Sequence, residues 1–116
     1  MKDRLTSRSL VILSLQNPRE KIWGMLFGIN SFGVTIHGID INSFDDWSRS
    51  VAGQAETMGL TTMFVPMMRV EKVILDESMG SYKSLSEQFL ERVGMTVIEY
   101  LGVGEEDEDE DHLDFS

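Results

Sequence analysis

Cysteine is absent from this 116-residue chain, so disulfide bonds and thiolate metal sites are excluded. Histidine is scarce. Of the two present, His37 lies in the body and His112 lies beyond a run of acids, so neither has a histidine partner at ligand spacing. Proline occurs only at 18 and 66, which leaves long stretches free to form regular structure. No apolar run approaches the roughly 20 residues of a membrane span. Lys2, Arg4 and Arg8 precede the apolar run Leu10 to Leu15, but that run is too short for a signal peptide and is followed by Arg19, Glu20 and Lys21. These absences lead to the expectation of a cytoplasmic protein that does not enter a membrane.

The net charge of −10 is concentrated at one end. Residues 105–111 read EEDEDED and Asp114 follows; without these eight acids the body holds twelve acids against ten bases. A block of like charges without periodic apolar residues favours disorder. The expected organisation is a flexible N-terminus over 1–8, one domain over 9–104 and a disordered acidic tail over 105–116. A chain of this length buries roughly 65% of its unfolded surface, enough for one modest core.

The body reads as strands first and helices last. Residues 9–15 read SLVILSL, apolar on both faces, which suits a strand buried in a barrel or at a subunit contact. Asn17-Pro18 marks a turn. Strands are expected from Lys21 to Asn30 and from Gly33 to Ile41, with Asn30, Ser31 and Gly33 supplying the turn between them. Gly24, Gly28 and Gly38 inside these strands permit sharp bending.

Ser43 and Asp46 suggest a capped short helix with Phe44, Trp47 and Val51 on one face. Thr61 to Asp76 reads as two strands broken at Pro66, which cannot donate to a ladder. Ser84 with Glu87 and Thr96 with Glu99 open two terminal helices, the first stopped by Gly94.

The spacing Gly24, Leu26, Ile29, Asn30, with Leu15 upstream and Val65, Val70 and Val73 downstream, resembles the two motifs of the Sm-like family of small β-barrels. The resemblance covers about two thirds of the body and implies a mainly β, five-stranded Sm-like or SH3-like barrel, here with an inserted short helix and C-terminal helices. It also implies where a nucleotide would bind, and there the chain departs from the pattern. Asn30 stands at the family's acidic position, Val34 at its base-binding asparagine, and Pro66-Met67 at its Arg-Gly pair. RNA affinity is therefore expected to be weak.

The candidate binding residues are Asn30, Trp47, Met67, Met68, Arg69 and Lys72. Trp47 is either an anchor for a partner or packing for the inserted helix. Met58, Met63, Met67 and Met68 form an adaptable apolar set; one of Met67 and Met68 must face away from the core. Arg19, Lys21, Arg69 and Lys72 form a sparse basic patch. In the tail, Leu113 and Phe115 after the acids resemble a short docking motif. No nucleophile, base and orienting group converge on a reaction type. The expected function is a non-enzymatic binding or assembly module without cofactor or metal, homo-oligomeric and acting through protein contacts. The alternative is an RNA-binding ring whose acidic tail occupies its own basic rim.

Overall fold

A computed structural model of the chain describes residues 8–55 and 58–102. Five strands form one antiparallel sheet: β1 (Leu10–Leu15), β2 (Glu20–Asn30), β3 (Gly33–Asp40), β4 (Thr61–Pro66) and β5 (Val70–Leu75). Three short helices accompany it: α1 (Phe44–Ala52), α2 (Leu85–Val93) and α3 (Val97–Leu101). The strand order is β4-β3-β2-β1-β5, which places β4 and β5 at opposite edges although only the 3-10 turn Met67–Arg69 separates them in sequence. The mainly β character agrees with the sequence. The two edge strands do not pair with each other, so the expected barrel is not closed. The N-terminal segment 1–7 and the acidic tail, with Leu113 and Phe115, lie outside the described residues.

The sheet carries apolar side chains on both faces because its central strands alternate two apolar sets. Val11, Leu13 and Leu15 of β1 join Ile22, Leu26, Val34, Ile36 and Val65 in one cluster. Trp23 from β2 joins Phe44, Trp47, Val51, Phe89 and Val97 in a second, with Leu10 and Ile12 packed against it. The helices thus cover one face of β1. This corrects the expectation that its second apolar face calls for a barrel interior or another subunit. Full burial of each such aliphatic side chain stabilises the fold by about 1.5–3 kcal/mol relative to exposure.

The second cluster is aromatic. Trp23 meets Phe44 edge-on at 4.9 Å, and Trp47 stacks on Phe89 at 5.1 Å between ring centres. Trp47 is 1% exposed, so its role is helix packing and not partner contact.

Gly24 and Gly38 face each other across β2 and β3. A Cβ on Gly24 would collide with the His37 carbonyl oxygen and the Gly38 Cα; one on Gly38 would collide with the Trp23 carbonyl oxygen. The need is therefore close backbone approach, beyond the bending expected from sequence. Gly28 is different: it follows a register shift after Leu26, and nothing lies within 4 Å of an added Cβ.

The two C-terminal helices begin where capping chemistry predicts. The Thr96 hydroxyl accepts from the Glu99 amide while the Glu99 carboxylate accepts from the Thr96 amide, a reciprocal capping box. At α2 the Ser84 hydroxyl accepts from the Glu87 amide, but the Glu87 carboxylate accepts from the Ser78 hydroxyl instead of closing the box. Gly94 ends α2 at φ 96°. The expected Ser43 cap of α1 does not form. A 3-10 turn, Ile41–Ser43, precedes the helix, so Ser43 is already helical and Asp40 accepts from the Asn42 amide at 2.8 Å instead.

Candidate functional site

Most candidate residues serve the fold. The Asn30 side-chain oxygen accepts from the amides of Phe32 (2.7 Å) and Gly33 (3.3 Å), closing the β2–β3 turn. Val34 is fully buried in the first cluster. Arg69 donates to the carbonyls of Gln16 (3.1 Å) and Pro18 (2.7 Å) and lies 3.8 Å from the Glu20 carboxylate. It clamps the β1–β2 turn to the corner between β4 and β5. Its backbone carbonyl also accepts from the Gln16 amide at 2.8 Å.

Met67 and Met68 face different ways, although in a 3-10 turn and not by the strand alternation expected from sequence. Met67 packs on the first cluster and Met68 is 81% exposed. Met68 is one of several exposed apolar side chains at one end of the sheet. There the Phe32 carbonyl accepts from the Met67 amide at 2.9 Å, bringing the β2–β3 turn against the β4–β5 corner. Phe32 is 79% exposed, and the Phe64 ring, 54% exposed, lies beside Gly33. The sequence pointed to Met68 but not to Phe32 or Phe64. Phe64 reads as one more apolar strand residue until the edge position of β4 is known.

His37 shares a hydrogen bond with the Thr62 hydroxyl at 2.8 Å and stacks on Phe27 with ring centres 5.6 Å apart. Partial burial lowers its pKa below the ordinary value of 6.5. No group of three or more potential ligands among histidine, aspartate and glutamate is gathered for a metal among the described residues.

Two depressions among the described residues bear on the candidate sites. One, of about 320 Å³, lies between α1 and the C-terminal helices, bounded by Val51, Val93 and Tyr100. The other, of about 440 Å³, brings together Arg19, Lys21 and Lys72 from the expected basic patch, with Ser14 beneath them. Arg69 does not join them. Ser14 is 3% exposed and its hydroxyl has no hydrogen-bond partner. The sequence gives no signal for its lysine neighbours, because they come from two other strands and are placed beside it only by the register.

No helix among the described residues is long and apolar enough to cross a membrane. Protein-family models, curated proteins and solved structures offer no match to this chain.

Proposed function

We propose that this chain is a non-enzymatic assembly module that associates with further copies of itself through the open edges of its sheet. The observation that carries this reading is that β4 and β5 are edge strands, each with no neighbour on its outer side among the described residues. An open edge presents backbone donors and acceptors that a second chain can satisfy. Pairing β4 of one copy with β5 of the next is a heterologous contact, which closes a ring when the rotation per copy allows. Phe32, Phe64 and Met68 beside β4, and Ile74 at 44% exposure on β5, supply apolar area for such a contact.

In this reading the open sheet is a small Sm-like barrel whose closure is left to the neighbouring copy. Support comes from the strand order and from the 3-10 corner that carries the chain from one edge to the other. The absence of cysteine suits a reducing compartment such as the cytoplasm. The RNA-binding alternative gains no support, since Asn30 is engaged in its turn and Val34 is buried.

The test is the solution mass of the full chain by light scattering, with Phe64→Asp and Ile74→Lys as edge variants. A mass several times the 13.2 kDa chain, lowered by either variant, supports the reading. A mass of one chain at high concentration overturns it.

A further inference from the structure

Ser14 sits at the centre of a row that spans three strands. Its register partner on β2 is Lys21 and its partner on β5 is Lys72. Directly opposed residues share a face with Cβ atoms about 4.5–5.5 Å apart, so the two lysine stems rise on either side of the serine. Neither lysine has an ion-pair partner among the described residues, and neither does Arg19 on the same cavity wall. The hydroxyl between them is buried and unpartnered.

Each of these features has an ordinary cause alone. Together they form a set of donors that are not paired with an acceptor among the described residues, although the Glu20 and Glu71 carboxylates line the same depression. A buried hydroxyl without a partner is disfavoured, and the ammonium groups on either side of it lack a paired counter-ion among the described residues. One anion seated between Lys21 and Lys72 relieves both, because it accepts from the hydroxyl and neutralises the ammonium groups. A tetrahedral phosphate has enough acceptor oxygens to take a hydrogen bond from each of the three donors.

The same wall holds the carboxylates of Glu20 and Glu71. Glu20 leans toward Arg69 at 3.8 Å. Glu71 falls at the register shift opposite Ser14 and Leu15, where it has no partner on β1. These acids oppose a bare anion but suit the amine or hydroxyl groups of a larger ligand. The volume of about 440 Å³ lies within the range of small-molecule sites.

We propose that the depression over Ser14 binds a phosphate monoester of a polar small molecule, with Ser14, Lys21 and Lys72 holding the phosphate. This site lies apart from Phe32, Phe64 and Met68, and it uses side chains on the face of the sheet, whereas the proposed self-assembly uses the backbone edge of β5.

The experiment is an amide NMR titration of the full chain with inorganic phosphate and with O-phosphoserine, against sodium chloride at matched ionic strength. Saturable shifts are expected at residues 13–15, 20–22 and 71–73, tighter for O-phosphoserine. Ser14→Ala is expected to weaken binding about tenfold, the value of one hydrogen bond to a charged group, without lowering the melting temperature. The Lys21→Gln/Lys72→Gln double variant is expected to abolish it. Equal saturation by inorganic phosphate would support the oxyanion site and assign it to the free ion. Shifts that fail to saturate, that chloride reproduces, or that survive both variants would overturn the proposal.

Discussion

The indole N–H of Trp23 donates to a carboxylate oxygen of Asp76 at 3.0 Å, joining the buried centre of β2 to the chain that leads into α2. The same oxygen accepts from the amide and the hydroxyl of Ser86, and the other oxygen accepts from the Leu85 amide at 2.9 Å. One carboxylate therefore satisfies a buried donor in the sheet and two open amides at the start of a helix. This contact sets the angle at which α2 returns across the aromatic cluster.

Asp76→Ala is expected to cost about 3 kcal/mol, from a lost helix cap and an orphaned buried indole N–H together. Urea unfolding measures it. Trp23→Phe in the Asp76→Ala background should cost less than in the parent, because the orphaned donor is gone. Additive losses would show that the two residues act independently.

Arg92 donates to the Asp45 carboxylate at 2.8 Å and to the Ser48 hydroxyl at 2.6 Å, tying α2 to α1. The hydrogen bond from Arg92, aided by the charge of Arg49, holds the Asp45 pKa below the usual carboxylate value. A lowered carboxylate pKa adds stability that is present above the unfolded value and lost as pH falls through the folded one. Asp45→Asn is expected to flatten the acid limb of a denaturant-midpoint profile below about pH 4. An unchanged acid limb would remove Asp45 from the account of acid sensitivity.

His37 follows the same sign for a different reason. Burial disfavours its charged form, so its folded pKa lies below 6.5. Stability from the neutral ring is present above 6.5 and declines as pH falls toward the folded pKa. His37→Gln is expected to remove that decline, read from thermal melts across the weakly acidic range. A histidine titration by NMR at or above 6.5 would contradict it.

Alanine at Gly24 or at Gly38 is expected to destabilise by about 2 kcal/mol or more, since the added methyl meets backbone that cannot yield without parting β2 from β3. Alanine at Gly28 meets open space and should fall within about 1 kcal/mol of the parent. The contrast in urea midpoints among the three variants is the check.

Local chemistry was legible in the sequence and long-range chemistry was not. The β2 and β3 strands, the Asn30 turn and the Thr96–Glu99 box rest on neighbours within a few positions, where spacing carries the information. Asp76 reads as a loop acid, because its partner Trp23 lies 53 residues away. The Ser43 cap failed for a local reason: the 3-10 turn before α1 took up the capping role one step earlier. The basic residues of the Ser14 depression were visible as a patch. The serine that gives the patch a floor emerges only from the pairing of three strands.

The chain has two tryptophans, and both sit in the helix-side cluster with ring centres 5.6 Å apart. The other face of the sheet has none. Intrinsic fluorescence is therefore a one-sided reporter. It follows the docking of the helices onto β2 and is silent about the aliphatic face, whereas backbone circular dichroism is sensitive to the sheet as a whole. A solvent that peels the helices away while the strands stay paired would dim or shift the emission at constant strand signal.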